Sequence, residues 1–295
     1  MNAAENGFPR PAPTTTVGWD GSASSRPALL WAIARERLGR ESGLRGLLLV
    51  AVVDEAFRSR GEAAMDQLGL AARHALDAEL AWIAINDADI VVDATVVVGD
   101  PVAALPDQCP PDALIAVGHG FRAPGTGPAL AARLAATAPQ PVVVVSGGLD
   151  PADDQVIVGV DGTPASVRAS VAAAVEADRR DVPLHVVHAW SGGGSMPLAD
   201  VTNIDTQRRE HERIVAAAVD AIRSDHPRLV VQGHLEIGSA VDVLRRWATD
   251  AALLVVGSRG HGPVRRLLLG SVSTGLLDSS ACPVMIVTAP SAPAR

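Results

Sequence analysis

The chain repeats itself at an offset of about 140 residues, and no other feature limits its fold so tightly. Val17-Gly-Trp-Asp20-Gly-Ser returns as Val158-Gly-Val-Asp161-Gly-Thr, and Val98-Gly-Asp-Pro-Val-Ala-Ala-Leu105 as Ile237-Gly-Ser-Ala-Val-Asp-Val-Leu244. Asp112-Ala-Leu-Ile-Ala-Val-Gly118 returns one residue longer as Asp250-Ala-Ala-Leu-Leu-Val-Val-Gly257, and Pro141-Val-Val-Val-Val145 as Pro283-Val-Met-Ile-Val287. A period this long means two duplicated domains rather than a solenoid. At 295 residues there is enough chain for two hydrophobic cores. The expected division is a disordered tail at 1–12, a first domain at 13–147 and a second at 154–290. The break falls at the turn-rich Gly147-Gly-Leu-Asp-Pro151.

Within each half, short β-branched runs alternate with longer stretches of helical period. In the second half the strands read 155–160, 184–189, 230–235, 253–256 and 284–287, with helices near 165–179, 206–225, 240–249 and 271–279. Thr163-Pro164 reads as an N-cap with proline at the first helical position. Apolar strands separated by helices argue for a parallel sheet covered on both faces. The expected fold is therefore α/β: two tandem doubly wound domains, each with a five-stranded parallel sheet flanked by helices. Ligands in such sheets bind beyond the carboxyl ends of the strands, where the strand order reverses. Asp161 and Gly257 both fall at such ends.

Composition narrows the partners. A net charge of −8 argues against nucleic acid, and no apolar run reaches the roughly 20 residues of a membrane span. Met1-Asn-Ala-Ala-Glu lacks the basic and apolar stretches of a signal peptide, so the expected location is cytoplasmic. The chain has no lysine, and all 25 basic residues are arginine, which excludes P-loop, Schiff-base and kinase-type lysines. Cys109 and Cys282, each before proline, read as buried packing residues. Trp31 and Trp247 fall in apolar helical stripes and read as core.

One segment carries a ligand signal. Leu253-Leu-Val-Val256 runs into Gly257-Ser-Arg-Gly260, and after nine intervening residues comes Gly270-Ser271. A buried strand ending in glycine, then a glycine–serine helix start, gathers backbone N–H groups around phosphate. Glycine matters because only a residue without Cβ lets the main chain come close.

With these motifs in place, the chain resembles the universal stress protein family in its tandem-domain form, whose fold is adenine nucleotide alpha hydrolase-like. The second half carries the ATP-binding glycine pattern without a gap. The resemblance implies that Asp161 contacts the nucleoside, Ala189 lies against adenine, Gly257 neighbours the ribose, and Gly260, Gly270, Ser271 and Val272 hold the phosphates. Gly159, Ser273 and Arg259 are further second-half candidates. Ser271 could also face a Mg or Mn ion carried by ATP. In the first half Asp20, Val52 and Gly118 match the pattern. Phe121, however, stands at the second glycine, the loop is three residues shorter, and Pro128-Ala129 falls opposite Gly270-Ser271. The expectation is a degenerate first site. The family also implies a homodimer or interdomain pairing through the terminal strands at 142–145 and 284–287.

Other motifs fail on mechanism. Val160-Asp161-Gly-Thr163 resembles the end of a haloacid-dehalogenase motif, but Gly159 stands where its nucleophilic aspartate would be. Ser146-Gly-Gly-Leu-Asp150 mimics a pyrophosphatase loop, yet the next strand follows too soon for the helix that loop must open. His185 and His188, three apart on a strand, point to opposite faces and cannot share a metal. Asp-Gly-Thr-Pro also makes an ordinary cap and turn without any ligand. Three functions remain: an ATP-binding, nucleotide-dependent stress-response regulator; a slow metal-dependent ATPase or phosphotransferase; or an assembly module with vestigial pockets.

Overall fold

A computed structural model describes residues 13–38, 46–120, 130–147, 154–191, 201–258 and 269–288. The expected tail at 1–12, Phe121, Pro128-Ala129, Arg259 and Gly260 lie outside the described residues. The first half runs β1 (Pro13–Gly18), α1 (Arg26–Leu38), β2 (Gly46–Asp54), α2 (Glu62–Asn86), β3 (Val91–Gly99), α3 (Pro101–Gln108), β4 (Leu114–Gly118), α4 (Leu130–Thr137) and β5 (Val142–Val145). The second runs β6 (Val156–Gly159), α5 (Pro164–Arg180), β7 (Leu184–Trp190), α6 (Val201–Asp225), β8 (Val231–Ile237), α7 (Ala240–Trp247), β9 (Leu253–Gly257), α8 (Ser271–Ser279) and β10 (Val284–Val287).

Strands and helices alternate because the apolar pattern switches between runs such as Leu253–Gly257, which is buried along nearly its whole length, and amphipathic helices. Caps fix the helix starts. Thr163 accepts from the Ser166 N–H at 3.3 Å with Pro164 just behind, as its sequence implies. Ser239 and Asp100 do the same for α7 and α3.

The sheet departs from expectation in one respect. All ten strands form a single sheet, in the order β3-β2-β1-β4-β5-β10-β9-β6-β7-β8. Each half contributes five parallel strands, and the halves join where β5 and β10 pair antiparallel, Val144 opposite Val284 and Val142 opposite Ile286. Thr288 seals the seam by donating to the Ala138 carbonyl at 2.7 Å. Two short, fully apolar strands would each expose an edge if their sheets were separate, and their mutual pairing removes both edges. This is the interdomain pairing that the sequence implies, and it corrects only the terminal strands as the route to a dimer: those edges are used inside the chain, leaving β3 and β8 at the ends of the sheet.

Helices cover both faces. α1, α2, α5 and α6 pack on one side around Trp31, Leu49, Val158 and Leu184. α3, α4, α7 and α8 pack on the other around Leu105, Ile115, Leu254 and Ile286. Cys109 and Cys282 are buried and free, and burial, eased a little by the Thr16 hydroxyl, pushes the Cys109 thiol up to about 11. Trp31 is core, but Trp247 is only half-buried and stands against two imidazoles, a correction to its reading as core. His185 and His188 do face opposite sides: His185 meets His234 at 2.9 Å, His188 meets His211 at 2.7 Å.

A buried ion network pins α1 to α5 across the two halves. Arg35 donates to Glu176 through Nε at 2.9 Å and Nη2 at 2.7 Å, and Arg180 Nη1 reaches the other carboxylate oxygen. Arg35 also donates to Thr15 at 2.9 Å, and Arg180 stacks over Trp31 at 5.7 Å. Burial alone would raise the Glu176 pKa, but the Arg35 and Arg180 charges outweigh it and hold the carboxyl at about 2.

Candidate functional site

In each half the strand order reverses between the first strand and the fourth: β1 lies between β2 and β4, and β6 between β7 and β9. This reversal opens a crevice beyond the carboxyl ends of β6 and β9. Asp161 stands just past one end and Gly257 at the other. The expected pairing of these two positions in one crevice follows from that topology.

Asp161 is held by an Asx turn. Its Oδ1 accepts from the Thr163 N–H at 3.0 Å and the Thr163 hydroxyl at 2.6 Å, and Gly162 takes φ +78° to close the turn. A side chain at 162 would be strained there, which is why the motif needs Asp-Gly-Thr in that order. The first half builds the same turn: Asp20 Oδ1 accepts from the Ser22 N–H at 2.9 Å, and Gly21 sits at φ +74°. The cap-and-turn role of Asp161 is therefore real, and it also fixes where the carboxylate stands.

Gly257 is required by packing. A Cβ on it would come within 2.9 Å of the Ala165 Cβ and 3.0 Å of the Ala165 backbone, because α5 begins directly against the end of β9. Gly118 is tighter still, with a Cβ falling 1.7 Å from the Ser24 carbonyl oxygen. Gly159 is pressed by Leu244 at 2.8 Å. These three glycines bring helices close to strand ends, and that shapes the crevice whether or not a ligand touches them.

The start of α8 differs from those of α3, α5 and α7. Gly270 is its N-cap and supplies no side-chain acceptor to the first-turn amides of Ser271 and Val272. The Gly270 N–H bonds the Ser258 carbonyl at 2.9 Å, and the Ser273 hydroxyl donates to the Gly257 carbonyl at 2.8 Å. Both bonds dock the helix start onto the end of β9. Ser271 is exposed, Val272 half-buried against the core, and Gly270 buried. Beside them the Ser258 hydroxyl is buried without a hydrogen-bond partner among the described residues. A positively polarised helix start of this kind suits an anion. Ala189, near the end of β7, is half-buried on the same sheet face as α7 and α8.

In the first half the equivalent crevice holds a cavity of about 340 Å³. Trp19, Asp20, Ala51, Val52, Ala72 and Pro101 are among its walls. Asp20 and Val52 thus stand together, as the repeat implies.

Sequence reasoning missed the two histidine pairs. Their members lie 49 and 23 residues apart, so no local spacing reveals them. Among the described residues no group of three or more His, Cys, Asp or Glu is arranged to hold a metal ion, and no helix is long and apolar enough to cross a membrane.

Residues 154–288 match the model of the Universal stress protein family. The second half is thus similar to universal stress protein domains. A universal stress protein of Mycolicibacterium smegmatis is 36% identical over 150 residues, covering 50% of this chain and 51% of that protein. Universal stress protein Rv1996 of Mycobacterium tuberculosis is 34% identical over 143 residues, covering 47% and 45%. The chain thus spans about half the length of the curated relatives it matches. A universal stress protein of Archaeoglobus fulgidus covers 93% of this chain and 96% of its own at 20% identity, with a TM-score of 0.67, so the fold of nearly the whole chain is that of a universal stress protein structure.

Proposed function

We propose that this protein is a nucleotide-dependent regulator that binds ATP in the crevice between β6 and β9. The observation that carries the reading is the α8 start: a helix whose glycine cap offers its first-turn amides no side-chain acceptor, docked by two hydrogen bonds to the end of β9 beside β6, the strand that leads to Asp161. In this reading the amides of Ser271 and Val272 and the neighbouring loop residues Arg259 and Gly260 take the phosphates. Asp161 takes donors of the nucleoside, and Ala189 gives the base a small apolar wall. Magnesium or manganese would arrive with the nucleotide and face the Ser271 hydroxyl. The fit is chemical: amides and hydroxyls supply the contacts that a lysine-free chain cannot draw from an ammonium group.

The reading is of regulation rather than turnover, with Asp161 Oδ1 engaged by Thr163 in its turn while the carboxylate faces the crevice. Ligand binding then acts by favouring one arrangement of the chain over another. Gly260→Glu tests the site, because it adds bulk and negative charge where phosphate belongs. Calorimetric titration of the purified chain with ATP–Mg should show binding by the native protein and none by the variant. Unchanged affinity in Gly260→Glu would remove the assignment.

A further inference from the structure

The first half serves as a template for the wall of the second half's crevice. Gly18 of β1 pairs with Val50 of β2, and Gly159 of β6 pairs with Val187 of β7, so Ala51 corresponds to His188 and Val53 to Trp190. α2 and α6 each run 25 residues and end alike: Asp87 N–H bonds the Ile83 carbonyl, and His226 N–H bonds the Ile222 carbonyl. That registration sets Ala72 against His211. Ala51, Val53 and Ala72 all line the 340 Å³ cavity of the first half. Where the first half has two alanines and a valine, the second has two imidazoles and an indole.

Those rings are ordered by hydrogen bonds. His188 is 5% exposed, its Nδ1 lies 2.5 Å from the Val160 carbonyl oxygen, and its Nε2 lies 2.7 Å from His211 Nδ1. The His211 ring stacks on His188 at 4.9 Å and lies tilted against Trp190 at 5.1 Å. A carbonyl can only accept, so His188 Nδ1 carries a proton. With the ring neutral, Nε2 is then an acceptor and takes the proton of His211 Nδ1. His211 in turn keeps its Nε2 as a lone-pair acceptor. The backbone carbonyl one residue before Asp161 thus sets the tautomer of a half-buried ring on α6.

We propose that His211 selects the base of the bound nucleotide, its Nε2 accepting a hydrogen bond from an exocyclic amino group, with His188 as the positioning residue. This rests on the reading of the crevice as a nucleotide site and deepens it by naming the feature recognised. A base bearing a carbonyl at the same position would set oxygen lone pairs against the ring nitrogen and leave a partly buried acceptor unpaired, which sites built around a hydrogen bond reject.

ATP and inosine triphosphate differ in the base by this exchange of amino group for carbonyl, so their affinities for the full chain, measured side by side, read the contact. The native protein should prefer ATP by about tenfold or more. His211→Ala should bring the two affinities within about threefold of each other, chiefly by weakening ATP. His211→Gln, whose side-chain carbonyl also accepts, should restore part of the preference, and His188→Phe should reduce it by freeing the tautomer. Equal affinities in the native protein, an unchanged preference in His211→Ala, or tighter ATP binding once the ring is removed would each overturn the proposal while leaving the nucleotide site standing. Failure of the native chain to bind either nucleotide would instead overturn the functional reading beneath it.

Discussion

Removing the Glu176 carboxylate should destabilise the whole chain, because that group neutralises a guanidinium buried between the halves. Glu176 is 2% exposed and Arg35 5% exposed, and their paired atoms stand 2.7 and 2.9 Å apart. In Glu176→Ala, Arg35 keeps only Glu36 at 3.2 Å and the Thr14 and Thr15 hydroxyls, while Arg180 loses its carboxylate partner. Breaking a buried pair from one side costs about 3–5 kcal/mol. The titration gives a second measure: a carboxyl held at about 2 instead of 4.5 corresponds to about 3 kcal/mol, at about 1.4 kcal/mol per pH unit. Its folded-state pKa is lowered, so this stability is complete above about pH 4.5 and is lost as pH falls toward 2. Urea unfolding at pH 7 and pH 3.5 should therefore separate native protein from Glu176→Ala widely at the higher pH and less at the lower. Arg35→Met with Glu176→Leu, which removes both charges and keeps volume, should recover most of the loss. A loss below about 1 kcal/mol at pH 7, or a gap that does not narrow in acid, would refute the argument that this pair is buried and coupled.

Two further perturbations separate ligand roles from structural ones. Asp161→Ala and Asp20→Ala each delete an Asx turn and should each cost about 1 kcal/mol in urea unfolding. Only the first should weaken ATP binding, by about tenfold or more, and equal effects on ATP would contradict the placement of the site in the second half. Burial, and then the His234 charge, lowers the His185 pKa below 6.5, and burial does the same for His234 despite Glu236. Both shifts are downward, so the pair's contribution is present above pH 6.5 and declines as pH falls below it. The urea midpoint should drop between pH 7.5 and 5.5, and His234→Gln should flatten that dependence; the same slope in the variant would refute it.

The regular elements were legible because their causes are local. The sequence places α8 at 271–279 and β10 at 284–287, as observed, since a glycine cap and a Cys-Pro entry mark their starts. β8 is read one residue early and stops short of Ile237, because alternation fades in an exposed strand near the sheet's end. What joins the halves was hidden. Arg35 and Glu176 lie 141 residues apart, and charges on helices ordinarily read as solvated, so nothing nearby distinguishes a buried pair from two surface residues. Trp247 was read as core from its helical stripe, whereas its ring faces His185 and His234 near the last strand. His188 and His211 become legible only after the two halves are superposed residue by residue, where alanine against histidine stands out.

The central claim is that one crevice of the two carries the nucleotide. Denaturing the freshly purified chain, or the chain saturated with ATP–Mg and desalted, and identifying the released nucleotide by chromatography and mass reads that claim directly. The account predicts one equivalent of adenine nucleotide per chain, abolished by Gly260→Glu. Two equivalents would contradict the asymmetry between the halves, and none, together with no binding at millimolar ATP, would contradict the claim itself.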